Sequence, residues 1–188
     1  MKPEKIRVLQ CQMADFSRQK AFEELYVYFY NKLLPFAISF VKQKEPAEEV
    51  VEDVFIQLWK NRKDAKEIKN LKVYLFVAVR NRALNFLKWK NKEILLYFET
   101  FPENINTLQT TPESLLMTKE MAEKIDKAIE NLPPRCKIIF KMVREEGLKY
   151  REVGEILDIS PRTVDSQMTI ATKRLSAAIT IYTTSTSE

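Results

Sequence analysis

The chain lacks the residues that most often carry out chemistry. Among 188 residues there is no histidine, the usual proton shuttle and metal ligand near neutral pH. The 2 cysteines, Cys11 and Cys136, stand far apart with no CxxC spacing, so no zinc site is expected. Only 2 glycines occur, too few for phosphate-cradling loops. Carboxylates gather in "AEEVVEDVFIQLW" (Glu48, Glu49, Glu52, Asp53), but without histidine or a second carboxylate motif they read as a solvated or protein-docking face. No metal, no cofactor and no enzymatic activity are therefore expected. What remains is the chemistry of recognition, concentrated in "PRTVDSQMTIATKR" at 161–174. Arginine can bond guanine, glutamine adenine, aspartate cytosine, and serine or threonine either kind of base edge.

An element must aim those side chains. Val164, Met168, Ala171 and Leu175 recur at spacings of four, three and four, one buried stripe of a helix. At 100° per residue the opposite face holds Arg162, Ser166, Thr169 and Lys173, with Asp165 and Gln167 on its flanks. Ser160-Pro161 is a strong helix start, and the amide groups behind it suit a phosphate. The preceding "KYREVGEILD" predicts a short helix with Val153, Ile156 and Leu157 available to pack, and Ile159 falls in the turn. Two short helices, a tight turn and a shared core fit the DNA-binding helix-turn-helix. Lys173 and Arg174, further along, are better placed for phosphates than for bases.

That helix carries little net charge; the positive excess lies elsewhere. Residues 1–92 hold 19 Lys and Arg against 11 Asp and Glu, residues 93–116 hold 0 against 4, and residues 117–188 hold 12 against 11. The stretch "KEIKNLKVYLFVAVRNRALNFLKWKNK" at 66–92 alone has 8 basic residues and 1 acidic, interleaved with Tyr74, Phe76, Phe86 and Trp89. Charges that track phosphates beside rings that stack on unpaired bases suit single-stranded nucleic acid. Part of the pattern is core: Leu75, Ala78 or Val79, Arg82 and Phe86 repeat at helical spacing.

The remaining elements also read as helices. Phe22, Leu25, Phe29, Leu33, Phe36 and Phe40 mark one over 15–42, with Pro35 kinking or dividing it. Pro46 opens the next, with Val50 or Val51, Val54 and Leu58 inside and Phe55 beside them. "NRKDAKEIKN" is a polar loop. Residues 93–116 form a proline-interrupted linker whose Leu95, Leu96, Tyr97, Phe98 and Phe101 are expected to dock on a surface. Further helices follow from about Pro112 to Pro133, then to a stop at Gly147. The expected fold is all-α: a helical domain at 1–92, the linker at 93–116, a four-helix helix-turn-helix domain at 117–180 and a disordered tail at 181–188. The N-terminus lacks the apolar core of a secretory signal and no apolar run is long enough to span a bilayer. A cytoplasmic protein is expected.

Taken in order, "FEELYVYFYNKLLPFA", "AEEVVEDVFIQLW", "VYLFVAVRNRALNFLKWK" and "ENLPPRCKIIFKMVREEGLKYREVGEILDISPRTVDSQMTIATKRL" resemble the extracytoplasmic-function sigma factors of the sigma-70 family, over roughly 20–92 and 113–178. The resemblance implies a promoter-specificity subunit that binds core RNA polymerase at the β′ clamp helices and the β flap. Glu49, Asp53, Gln57 and Trp59 would then contact polymerase. Arg80, Asn81, Asn85 and Lys88 would melt and read the −10 element, with the loop "NRKDAKEIKN" helping to form the pocket for a captured base. Asn85 stands where the family often has aspartate. Arg162, Thr163, Asp165, Ser166, Gln167, Thr169, Lys173 and Arg174 would serve the −35 element, although the family's reading helix is usually more basic. An anti-sigma protein is the expected regulator. The alternative reading is a one-component helix-turn-helix regulator whose N-terminal helices sense a ligand or dimerise.

Overall fold

A computed structural model describes residues 1–14, 19–90 and 119–185 of the chain. Every regular element among them is helical. The chain divides into two compact units, with the changeover near Thr100. The linker expected at 93–116 lies outside the described residues.

The first unit holds α1 (Pro3–Met13), α2 (Gln19–Val41), α3 (Lys44–Lys60), a 3-10 turn (Ala65–Glu67) and α4 (Leu71–Lys90). Helix α2 packs against α1, α3 and α4, and α3 packs on α4. Its predicted stripe is inside, with Leu25, Phe29, Leu33, Phe36 and Phe40 buried and Phe22 partly so. Pro35 does not divide the helix: α2 runs through it, and the ring sits on the exposed side. Lys42, at φ 62, turns the chain into α3. That helix begins at Lys44, two residues before the predicted proline start, so Pro46 falls within its first turn, where a missing amide hydrogen costs little. Val50, Val51, Val54, Phe55 and Leu58 are all buried.

Helix α4 departs from its predicted stripe. The buried line is Leu71, Leu75, Phe76, Val79, Ala83 and Leu87. Arg82 is exposed and Phe86 half-buried, because the inward face is rotated away from the line through Leu75, Arg82 and Phe86. Helix α1 was not read from the sequence. Only Leu9, Gln10 and Met13 of it are buried, too short a pattern to stand out. Gln10 is 1% exposed and explains what α1 holds. Its side-chain amide donates to the carbonyls of Ala65 and of Ile68, the latter at 2.8 Å, and Arg7 donates to Ile68 at 3.1 Å. The loop between α3 and α4 is thus tied down by α1.

The second unit holds α5 (Lys119–Glu130), α6 (Pro134–Arg144), α7 (Tyr150–Leu157) and α8 (Pro161–Ser185). Helices α5 and α6 both pack on α8. Leu132, Cys136 and Ala171 form a core cluster with Phe140 and Ile170 against it. After α6, Gly147 takes φ +64, and the Leu148 amide reaches back to the Met142 carbonyl at 3.1 Å. Helix α8 continues to Ser185, so residues 181–185 of the expected disordered tail are helical; the last three residues lie outside the described ones.

Candidate nucleic-acid interface and docking helix

The turn between α7 and α8 is built from few residues. Asp158 ends α7 in the left-handed region at φ 57, and Ile159 donates its amide hydrogen to the Gly154 carbonyl at 3.0 Å. At the start of α7 the Glu152 carboxylate accepts the Lys149 amide hydrogen at 2.7 Å. Ser160 caps α8: its hydroxyl accepts the Thr163 amide hydrogen at 3.0 Å and lies 2.8 Å from the Thr163 hydroxyl. Val153, Ile156, Val164, Met168, Ala171 and Leu175 are buried, and Leu157 is partly buried. The predicted inner stripe is therefore the inner stripe.

The outer face follows. Arg162, Asp165, Ser166, Lys173 and Arg174 are exposed, while Thr163, Gln167 and Thr169 are partly covered. The Ser166 hydroxyl donates to the Arg162 carbonyl at 3.0 Å, and the Thr169 hydroxyl to the Asp165 carbonyl at 3.1 Å. Their hydrogens are occupied by the helix itself, which leaves the oxygen lone pairs to accept from a base amine. Gln167 lies on the flank toward α6, where the buried Cys136 thiol donates to its backbone carbonyl at 3.3 Å. Burial pushes that thiol up to about 11, against a lowering influence from Arg174.

In the first unit, α4 carries an exposed polar face. Tyr74, Asn81, Asn85 and Lys88 are exposed and fall within about 60° of one another around the helix. Arg80 lies to one side and donates to the Asn81 side-chain oxygen at 3.3 Å. Of the four rings, Phe76 is core and Phe86 half-covered. Tyr74 remains 40% and Trp89 86% exposed, so these two are the available stacking surfaces.

The predicted docking residues of α3 do not share one face. Glu49, Asp53 and Gln57 are successive turns of one edge, and Asp53 meets Arg82 of α4. Trp59 lies on the opposite edge, toward α2. Its ring is 4.8 Å from Phe22 and carries the Arg62 guanidinium at 4.4 Å. Phe22, Tyr26, Tyr30 and Phe55 extend this aromatic layer. Tyr26 and Tyr30 have raised pKa values, from burial first, and then from Tyr30 and the Glu52 charge at Tyr26 and from the Glu48 and Glu52 charges at Tyr30. Between the two edges stands Ile56, 47% exposed. Sequence reasoning passed over it because only an apolar residue off the inner stripe of α3 marks it. Gln10 and Arg82 were likewise missed as supports of these surfaces.

No group of three His, Cys, Asp or Glu able to hold a metal occurs among the described residues. Nor does any described helix have the length and apolarity to cross a membrane.

Two family models match the chain, "Sigma-70 region 2" over residues 25–93 and "Sigma-70, region 4" over residues 122–175. Together they span most of its length. The chain is 23% identical over 155 residues to the ECF RNA polymerase sigma factor SigM of Bacillus subtilis, covering 82% of this chain and 93% of that one. It is 24% identical over 158 residues to the ECF RNA polymerase sigma-E factor of Escherichia coli, covering 80% and 82%. The sigma factor RpoE of Bartonella quintana, solved with the anti-sigma factor NepR, has a similar fold, with TM-score 0.55, 22% identity and coverage of 86% and 98%.

Proposed function

The chain belongs to the sigma-70 family, and we propose that it acts as an extracytoplasmic-function sigma factor, binding core RNA polymerase and directing it to promoters through −10 and −35 elements. The family consists of non-enzymatic initiation factors, and catalysis belongs to polymerase. The observation that carries the reading is order: region 2 falls on the basic helical unit and region 4 on the helix-turn-helix unit. The two units then divide the work. Residues 1–92 hold polymerase and the melted −10 strand, residues 93–116 connect, and residues 117–180 hold the −35 duplex.

Several features support residue roles within that division. The α4 face with Asn81, Asn85 and Lys88, with Arg80 half-buried to one side of it, is polar and basic, as single-strand reading needs. The α8 face with Arg162, Asp165, Ser166 and Thr169 offers donors and acceptors in the first turns, where helices of this kind meet base edges. Lys173 and Arg174 follow as phosphate groups. On α3, Glu49, Asp53 and Gln57 form the docking edge with Ile56 beside it, and Trp59 shapes that helix from behind through Phe22. Its partners are core polymerase, promoter DNA and an anti-sigma protein, the last by analogy with the NepR complex of the Bartonella relative. Its place is the cytoplasm, where promoter DNA is transcribed.

The test is run-off transcription with cognate core polymerase and promoter fragments selected by the purified holoenzyme. The chain should start transcription without another specificity factor. Promoter binding with no initiation would instead favour a one-component regulator.

A further inference from the structure

We propose that Arg82 is a DNA-backbone-binding residue held in reserve by Asp53, and that polymerase docking at Asp53 releases it. The proposal rests on the sigma-factor reading above and adds a coupling between its two activities. Arg82 of α4 donates from Nε to Asp53 Oδ2 at 2.9 Å and from its terminal nitrogen to the same oxygen. The bridge joins the helix assigned to DNA with the helix assigned to polymerase. Both side chains stay wet, 55% and 43% exposed.

That exposure decides how the bridge behaves. A solvated ion pair contributes little to stability, so either partner exchanges it for another ion at small cost. The guanidinium fork fits a phosphate as well as a carboxylate. Arg82 is exposed, follows Asn81 directly and lies about 60° around the helix from Asn85, at the edge of the face formed by Asn81, Asn85 and Lys88. Asp53 stands one turn from Glu49 and one from Gln57, on the docking edge. While the bridge is closed, Asp53 is neutralised toward a basic side chain of polymerase and Arg82 is neutralised toward a phosphate. Opening it once serves both partners. Polymerase and DNA therefore reinforce each other, and by linkage the effect is reciprocal.

The experiment measures affinity for cognate core polymerase and then affinity of the holoenzyme for a forked −10 fragment over a range of salt. Arg82→Gln frees Asp53 and should tighten core binding about two- to five-fold. Its holoenzyme should bind the fork more weakly, with a salt slope smaller by about one. In an Asp53→Asn background, Arg82→Gln should no longer change core affinity. Arg82→Lys keeps a charge for the phosphate and should retain the wild-type salt slope, which separates a phosphate contact from a folding defect. Unchanged or weaker core binding by Arg82→Gln overturns the proposal, as does an unchanged salt slope or one lost equally in Arg82→Lys. If the wild-type chain fails to bind core polymerase, the sigma-factor reading itself falls, a result distinct from any of these.

Discussion

Gly154 and Ile159 meet so closely in the turn of the second unit that a Cβ on Gly154 would stand 2.8 Å from the Ile159 carbonyl oxygen. The same two residues share a hydrogen bond, Ile159 N–H to Gly154 O at 3.0 Å. The Pro161 nitrogen and Cδ lie next nearest, at 3.5 and 3.7 Å. Since the atoms in the way belong largely to the backbone, no rotamer change relieves the clash. The angle between α7 and α8 depends on this absence of a side chain.

Gly154→Ala should destabilise the helix-turn-helix by about 1–3 kcal/mol through overpacking, although alanine favours a helix by about 1 kcal/mol. Gly147 supplies the contrast. Nothing lies within 4 Å of a Cβ there, but its φ of +64 is left-handed. Gly147→Ala should cost about 1–2 kcal/mol from that strain. Asparagine, which tolerates the conformation, should recover much of the loss at 147 and none at 154. Thermal melts of the four variants decide it; an unperturbed Gly154→Ala melt would refute the close-approach account.

Gln10→Leu removes both donations to the loop between α3 and α4 while keeping a buried side chain of similar size. The Ala65 and Ile68 carbonyls each lose one donor but keep another, the Ile68 amide and Arg7 respectively, so the cost should be that of lost hydrogen bonds, about 0.5–1.5 kcal/mol each. Amide exchange across residues 65–68 should accelerate more than exchange in the centre of α2. Uniform acceleration across the unit would show that Gln10 supports the whole core rather than this loop.

Much of this architecture was legible because helical burial is periodic. The lines through Phe29 and Leu33, Val54 and Leu58, and Val164 and Met168 each repeat over several turns, and each is inside. Arg82 was misplaced because periodicity fixes spacing but not phase when a helix is apolar on several sides, as α4 is. Helix α1 escaped notice because its chief anchor is a glutamine, whose burial depends on carbonyls 55 and 58 residues away. The split of α3 had the same cause: that Asp53 faces α4 and Trp59 faces α2 is set by tertiary neighbours. The polar face of α8 was readable for the opposite reason, since exclusion from a clear apolar stripe leaves one direction.

The two thiols should differ sharply in reactivity. Cys11 is exposed, whereas Cys136 is fully buried and pushed up to about 11. The thiolate is the reactive form. With a disulfide reagent at neutral pH, one thiol should react quickly in the native chain and both in denaturant. Rapid reaction of both without denaturant would mean that the core around Cys136 opens readily. Cys136→Ala should also weaken the hold on the Gln167 carbonyl and lower the melting temperature modestly.

Glu130 ties α5 to α6 by accepting from Lys141 at 2.8 Å and from Lys137 at 3.1 Å. These hydrogen bonds, Lys141 first, hold its pKa below the ordinary 4.5. A depressed carboxylate stabilises the fold above its unfolded pKa and loses that contribution as pH falls through the lower folded value. Wild type should therefore be more stable than Glu130→Gln at neutral pH, with the gap closing as the solution is acidified below the ordinary carboxylate range. The side chain is 61% exposed, so the gap should be small and shrink further in salt. A gap that grows on acidification would reverse the assignment.

Arg162 and Lys173 occupy the same outer face of α8 but different turns of it, and their losses should read differently. Arg162 lies in the first turn, where base edges are met, and its fork suits guanine. Arg162→Ala should cost about 1–3 kcal/mol at one position of the −35 duplex and relax preference there. Lys173 lies about three turns further along and offers a point charge. Lys173→Ala should weaken binding nearly equally on all sequences and lower the salt slope by about one. Because the two side chains stand about three helical turns apart, the two effects should add, as for distant independent sites. Equal loss of sequence preference in both variants would mean that α8 lies along the groove in a different register, with Lys173 rather than Arg162 at the bases.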